Sequence, residues 1–170
     1  MQKKFELTSE FVTFLGRKLF RIKALIKFGN VELGELGGYV EKEENVDQSG
    51  DAWVSGDAWV SGDAQVFGNA RVSGDAQVSG NARVSKVNHL FQLGAIGSRN
   101  GFTTFFRVKT NHIHVVCGCF LGSIDDFEKS VIDTHAGTRH ERVYKLAIQL
   151  AKEQIDLSDV ITNGESEESN

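Results

Sequence analysis

The chain contains no proline, and this is the first of several absences that narrow its structure. Proline lacks a backbone N–H, so a chain without it keeps a hydrogen-bond donor at every residue. Cysteine is scarce as well, with only Cys117 and Cys119 present. Two cysteines two apart on a strand rarely form an unstrained disulfide, so we expect reduced thiols in a cytoplasmic protein.

Long hydrophobic runs and a strong charge are also missing. No apolar run reaches the roughly 20 residues of a membrane-spanning helix, and no signal-peptide core follows the start, so we expect no membrane segment. The net charge of −4 at pH 7 argues against bulk attraction to nucleic acid, which we do not expect as a partner. Hydrophobic residues make up 40% of the chain, enough for a packed core.

Glycine is abundant, with 18 residues, and many of them recur at an interval of six. From Gly50 to Ser85 the sequence reads GDAWVS, GDAWVS, GDAQVF, GNARVS, GDAQVS and GNARVS. In each unit Ala and Val lie two apart and point to one side of a short strand, whereas Asp, the fourth residue and Ser point to the other. Glycine is the corner, because a bend there leaves little room for a Cβ. The repeat predicts a short parallel β-helix.

Three units per coil give a triangular prism with 18 residues in each coil. The pattern of Asp and Asn favours this number, because Asp51 then meets Asn69 and Asp63 meets Asn81, which avoids like charges on two faces. Four units per coil would instead stack Asp51 on Asp75. The three-sided prism predicts stacked pairs inside (Val54 with Val72, Val60 with Val78, Val66 with Val84) and outside (Trp53 with Arg71, Trp59 with Gln77, Gln65 with Arg83). The same spacing holds upstream at Val40 and Val46, before a two-residue slip, and weakly downstream at Leu90, Ile96 and Phe102.

The sequence before the repeat predicts a β-hairpin. Apolar residues alternate with charged ones over residues 20–28, and residues 11–15 form a partner strand across a turn at Gly16-Arg17. An amphipathic helix is the alternative, because Leu15, Leu19 and Ile22 also fit helical spacing.

The sequence after the repeat predicts a ββαα unit. Two β-rich runs, residues 102–108 and 113–120, are joined by a short polar turn. Ser123 begins a capping-box-like helix start, followed by Ile124, Phe127 and Val131 at helical spacing. A second helix over residues 139–155 carries Val143, Leu146, Ala147 and Leu150 on one face.

We therefore expect a mainly β protein with an α+β C-terminal unit. Its predicted parts are an N-terminal β cap (1–45), the hexapeptide-repeat β-helix (46–100), a ββαα domain (101–157) and a disordered acidic tail (158–170).

Read as Val-Ser-Gly-Asp-Ala-Trp, the units resemble the hexapeptide pattern of left-handed β-helix proteins. The wider layout is similar to hexapeptide-repeat proteins of bacteriophages and prophages, often labelled transferases or polymer-forming. The segments that carry this likeness are residues 21–25, 28–31, 36–41 and 117–120, with Phe127. The resemblance implies left-handed coils and a viral or prophage origin, but it implies no reaction.

Catalysis and metal binding have weak support in the sequence. Hexapeptide-repeat acyltransferases place a catalytic His on a loop that projects from the coils, whereas residues 50–85 contain neither a His nor such a loop. A degenerate acyltransferase remains an alternative. A zinc site from Cys117, Cys119, His112 and His114 is a second one, but its spacing fits zinc knuckles poorly and buried thiols are the simpler interpretation. We expect no cofactor and no metal.

Three aromatic residues, Trp53, Trp59 and Phe67, occupy outward positions, one on each face of a single coil. Either the ends of the chain cover them or they form an interface with a partner or sister subunit. Further interface candidates are Arg71 and Arg83 on the prism and Arg139, Arg142 and Lys145 on the last helix.

The function we expect is that of a non-catalytic phage-type accessory protein that binds a host macromolecule, for example an inhibitor of a host defence nuclease or CRISPR complex. A virion or assembly component is a further alternative. Because a short solenoid has open ends and flat faces, we also expect a homo-oligomer, a dimer or a trimer.

Overall fold

The computed structural model describes residues 2–159 and shows a mainly β protein with two C-terminal helices. Three strands precede the repeat: β1 (Phe5–Phe14), β2 (Arg17–Ala24) and β3 (Leu36–Val40). Each repeat unit contributes a two-residue strand: β4 (Trp53–Val54), β5 (Trp59–Val60), β6 (Gln65–Val66), β7 (Arg71–Val72), β8 (Gln77–Val78) and β9 (Arg83–Val84). After the repeat come β10 (Leu90–Ile96), β11 (Gly101–Arg107), β12 (Ile113–Cys117), β13 (Phe120–Ser123), α1 (Ile124–His135) and α2 (Arg139–Gln154).

The repeat folds into parallel coils with three units per turn. Val54 pairs in parallel with Val72, which confirms the predicted 18-residue offset. The first face of the coils consists of β4 and β7, the second of β3, β5 and β8, and the third of β6 and β9. Val40 pairs with Val60, an offset of 20 residues that reflects the two-residue slip. The other predicted inner and outer pairs are also observed.

The corners of the coils are glycines in the left-handed region of backbone space. The six of them, from Gly50 to Gly80 at every sixth residue, have φ between +61° and +66°. A Cβ at Gly50 would lie 2.8 Å from the carbonyl oxygen of Gly68 in the next coil, so glycine is required there for space as well as for φ.

Two buried side chains, Lys4 and Asn45, hydrogen-bond to backbone carbonyls at the N-terminal end of the coils. There the Lys4 ammonium donates to the carbonyls of Ser49 (3.2 Å), Gly50 (3.3 Å) and Ala52 (2.8 Å). Burial lowers the pKa of Lys4 to about 8. The Asn45 amide donates in the same way to Gly62 (3.1 Å) and Ala64 (2.9 Å), so these carbonyls have partners although they are not paired with another strand there.

The N-terminal hairpin extends the second face of the coils. β1 pairs antiparallel with β2, β2 with β3, and β3 runs parallel to β5, which gives one five-stranded sheet. This confirms the hairpin over the helix alternative. The turn lies at Leu15-Gly16, one residue earlier than predicted. The predicted strand over residues 20–28 ends at Ala24, because Phe28 turns inward and packs on the Trp53 ring.

The C-terminal unit contains four strands, where the sequence predicted two. β10 pairs antiparallel with β11, so the predicted continuation of the repeat through Leu90 and Ile96 is wrong. A 3₁₀ turn at Val87–His89 redirects the chain out of the coils. The predicted strand over 113–120 is two strands, because Gly118, at φ +59°, turns the chain between β12 and β13.

The two helices pack on this sheet, and of the face predicted for the second only Ala147 is buried. In α1 the buried residues are Ile124, Phe127 and Val131, as predicted. In α2 the buried residues are Tyr144, Ala147, Ile148 and Ala151, whereas Leu146 is 65% exposed and Leu150 is 49% exposed. The Tyr144 ring packs on Phe127 at 5.5 Å and fixes this rotation of the helix. Most of the predicted acidic tail, residues 160–170, lies outside the described residues.

Candidate interaction cleft

A cleft of about 360 Å³ lies where three parts of the molecule meet: the β1–β2 turn, the second face of the coils and the β12–β13 turn. We name it the tip cleft. Its volume is typical of clefts that hold small ligands or single side chains of a partner. The N-terminal hairpin supplies Phe14, Leu15 and Arg17, the coils supply Trp59 and the corner residues around Gly62 and Gly80, and the C-terminal unit supplies residues from Val116 to Leu121.

The rim of the tip cleft is apolar and exposed. Leu15 is 75% exposed at the tip of the hairpin, and Leu121, on the C-terminal side, is 50% exposed. Leu15 has φ +46° and Gly16 has φ +78°, so both turn residues are left-handed. Such turns favour Asn or Asp before Gly, and a leucine in this conformation is uncommon.

The floor of the cleft is aromatic on one side and hydroxylic on the other. The rings of Phe14 and Trp59 lie 4.7 Å apart and form a small cluster with Leu19 and Tyr39. Ser61 and Ser79, one coil apart, line the floor beside them. The cleft therefore offers a flat apolar wall next to small polar groups.

The charged groups at the cleft are neutralised within the molecule. Arg17 forms an ion pair of 2.9 Å with Glu41, and the same carboxylate accepts the Gly62 N–H at 2.6 Å. The Gly62 hydrogen bond, followed by that of Arg17, lowers the pKa of Glu41. Asp63 pairs with Lys42 at 3.1 Å. Among the described residues that line the cleft none is histidine, so the exposed Cys119 thiol has no imidazole base there.

The structure does not support Trp53 and Trp59 as exposed interface residues. Trp53 is 2% exposed, because Phe5 and Phe28 from the N-terminal segment pack on it. Trp59 is 9% exposed, because the Phe14 ring packs on it, and it lines the floor of the cleft. Of the two alternatives for these tryptophans, coverage by the chain's own N-terminal part is observed. Phe67 is half-buried on the third face.

The basic interface candidates are dispersed. Arg71 is half-buried beneath Trp53, and its guanidinium lies against the backbone of Gly29. Arg83 donates to the carbonyls of Asp63 (2.8 Å) and Ala82 (2.9 Å), which is a structural role on the coil surface. On α2, Arg139 and Arg142 are exposed, and Lys145 pairs with Glu141 at 2.6 Å.

The zinc alternative needs Cys117, Cys119, His112 and His114 in one place, and they form no such cluster among residues 2–159. Cys117 instead accepts from the Thr103 hydroxyl at 3.3 Å and lies 3.7 Å from the Tyr144 hydroxyl.

One group with metal-ligand spacing, His89 with Asp156 and Asp159, does occur. Its members already have partners: His89 accepts from the Arg107 guanidinium at 3.0 Å, Asp159 pairs with Lys86, and Asp156 accepts from the Ser158 N–H at 2.8 Å.

The residues of the tip cleft were not predicted, with the exception of Trp59. One signal was available in the sequence: Leu15-Gly16 occupies a hairpin turn where Asn-Gly or Asp-Gly is usual. The contribution of Leu121 was not visible, because it depends on how the C-terminal sheet docks beside the coils.

Comparison with known families identifies the repeat. Residues 64–77 and 76–86 match the YdcK beta solenoid repeat. No curated protein matches the chain. Among the described residues, neither helix is long and apolar enough to cross a membrane. The repeat region is thus similar to a β-solenoid, in agreement with the parallel coils.

Proposed function

We propose that this chain is a non-catalytic binding protein whose tip cleft holds an apolar segment of a partner protein. The observation that carries the proposal is Leu15: it is 75% exposed, has a left-handed φ of +46°, and stands at the rim of the cleft.

The left-handed backbone of Leu15 is strained, and no burial of its side chain within the molecule offsets this strain. A left-handed residue with a Cβ costs roughly 1–2 kcal/mol, and such outliers cluster at binding sites. Packing of the Leu15 side chain in the core would offset this free energy, but three quarters of the side chain is exposed to solvent. Contact with a partner gives an exposed leucine in this position a physical reason.

The free energy available from burying the two rim leucines indicates how much of the cleft a partner must contact. Complete burial of a leucine contributes about 1.5–3 kcal/mol, so covering the exposed parts of Leu15 and Leu121 contributes roughly 2–4 kcal/mol. Association costs at least about 4 kcal/mol in lost freedom of motion. A partner must therefore also reach the aromatic floor at Phe14 and Trp59, which points to a side chain that enters the cleft.

Three finer proposals rest on the resemblance to phage hexapeptide-repeat proteins. These are that the coils are left-handed, that the protein is of phage type and acts in the host cytoplasm, and that the partner belongs to a host defence system such as a nuclease or CRISPR complex. A degenerate acyltransferase and a virion component remain alternatives. No specific feature of the described residues favours either of them.

The binding proposal is tested with the variant Leu15→Asn. Asn before Gly is the preferred pair for a turn with two left-handed residues, so this variant should fold at least as stably as the wild type. The probe is a peptide selected from a random display library on the wild-type protein. We expect its Kd, measured by calorimetry, to rise at least about tenfold for Leu15→Asn, a loss of about 1.4 kcal/mol.

The matched control is Leu33→Asn, which changes a leucine of similar exposure, 69%, away from the cleft. Its affinity for the peptide should be that of the wild type. Equal weakening by both variants, or none by Leu15→Asn, would contradict the proposal.

A further inference from the structure

The five-stranded sheet has one open edge. Its strand order is β1-β2-β3-β5-β8. At the β8 end the C-terminal unit covers the sheet, where the Gln77 N–H donates to the Thr104 hydroxyl at 3.0 Å. At the other end, β1 has no neighbouring strand among residues 2–159. An edge strand presents a row of backbone donors and acceptors that can pair with another strand.

Most of this edge is blocked, and only a short part is available. The Gln48 side-chain amide hydrogen-bonds to both backbone groups of Phe5: it accepts from the N–H at 3.2 Å and donates to the carbonyl at 3.2 Å. An irregularity in the pairing with β2 follows between Leu7 and Phe11, where the Thr8 hydroxyl accepts the Glu10 N–H at 3.3 Å. Residues 11–14 then pair regularly with β2 and have no partner on their outer side among the described residues.

This available part lacks the features that protect edge strands. Residues 11–16 contain no charge and no proline, whereas exposed edges usually carry lysine, proline or a bulge. Phe11 is 46% exposed and Val12 is 40% exposed. The nearest acid, Glu10, is held by Arg21 at 3.0 Å and Tyr39 at 3.2 Å, so its charge is compensated within its own subunit.

We propose that residues 11–13 of β1 pair antiparallel with the same residues of a second copy, with Val12 opposite Val12 at the axis, which gives a two-fold symmetric dimer. The edge is compatible with its own copy, because its residues carry no charge and the nearest cation, the Lys18 ammonium of β2, lies over the Phe11 ring at 4.6 Å. The assembly closes at two subunits, since the opposite end of each sheet is covered and the same patch is used on both. This proposal does not depend on the tip cleft.

The test uses two charges of opposite sign at Val12. The wild type should have a mass of twice 18.7 kDa by light-scattering chromatography. Val12→Glu and Val12→Lys, each alone, should be monomers, because like charges then face each other across the axis. An equimolar mixture of the two should return to the dimeric mass. Circular dichroism should show the wild-type fold for both variants, since the side chain is partly exposed.

The control is Val87→Lys, at a 66% exposed valine outside the sheet, which should stay dimeric. A monomeric or trimeric wild type would overturn the proposal. The proposal would also be overturned if Val12→Glu or Val12→Lys alone were dimeric, or if their equimolar mixture remained monomeric.

Discussion

The indole of Trp53 packs edge-on against the ring of Phe28, with the two centroids 5.3 Å apart. Phe5 lies on the same indole at 6.2 Å. These contacts explain why an outward position of the repeat is 2% exposed: the N-terminal segment covers the first face of the coils. The tryptophan therefore joins two parts of one core and is not available to a partner.

We expect Trp53→Ala to destabilise the protein by about 3–5 kcal/mol, the usual cost of removing a large buried aromatic side chain. Urea unfolding followed by circular dichroism measures the change in the free energy of unfolding. The matched control is Gln65→Ala, at the same position of the repeat but exposed on the third face, with an expected change within about 0.5 kcal/mol. Similar effects of the two variants would show that the N-terminal segment does not cover the first face.

The orientation of each repeat unit is tested at two adjacent residues. Val72 is fully buried inside the coils, and Ser73 is exposed. Val72→Asp buries a carboxyl without partners and should cost about 3 kcal/mol or more, since burial of an unpaired polar group costs roughly 2–7 kcal/mol. Ser73→Asp should change the free energy of unfolding by less than about 0.5 kcal/mol. Equal melting temperatures of the two variants would mean that the inner and outer faces are reversed.

The coils were predictable because the six-residue repeat alone determines where the glycine corners lie, which residues (Ala and Val) point inward, and how they stack in successive coils. Outside the repeat, the spacing of apolar residues and the tertiary packing favour different structures. Leu90 and Ile96 keep the period of six but pair with β11, because the 3₁₀ turn at Val87–His89 changes the chain direction. Long-range docking decided these cases, and a local pattern does not contain that information.

The face of α2 illustrates the same limit at the scale of one helix. The predicted stripe of Val143, Leu146, Ala147 and Leu150 is confirmed only at Ala147, because the structure buries Tyr144 and Ile148 beside it in place of the leucines. The large Tyr144 ring and the small alanines suit close packing on Phe127, whereas sequence spacing alone ranks the leucines higher.

A buried imidazole links the coils to the C-terminal segment and predicts a pH dependence. His89 is 1% exposed, with its Nε2 3.0 Å from the Arg107 guanidinium. Arginine only donates, so Nε2 accepts there, and Nδ1 faces both the Ser85 backbone N–H at 3.3 Å and the Ser85 hydroxyl at 3.2 Å. Burial, followed by the charges of Arg107 and Lys86, lowers the pKa of His89.

Because the pKa is lower in the folded state, the unfolded chain binds more protons between that value and 6.5. Stability should therefore fall as the pH drops below 6.5, since folding then requires a neutral His89. We expect His89→Gln to flatten this dependence in urea unfolding between about pH 7.5 and pH 5.5. Some dependence should remain, because burial lowers the pKa of His114 as well.

The control is His140→Gln on α2, whose charge is not among those that shift the pKa of His89 or His114, and it should keep the wild-type slope. A wild-type slope for His89→Gln would contradict the neutral, buried imidazole.

Site-specific photo-crosslinking in producing cells tests the binding function most directly. A photoreactive amino acid replaces Leu15, Leu121 or, as the control, Val87, which is exposed away from the cleft. Mass spectrometry then identifies the crosslinked proteins. We predict that Leu15 and Leu121, on opposite sides of the tip cleft, capture the same protein and that Val87 does not. Identical products from all three positions, or different proteins from the two rim positions, would contradict a partner held in the tip cleft.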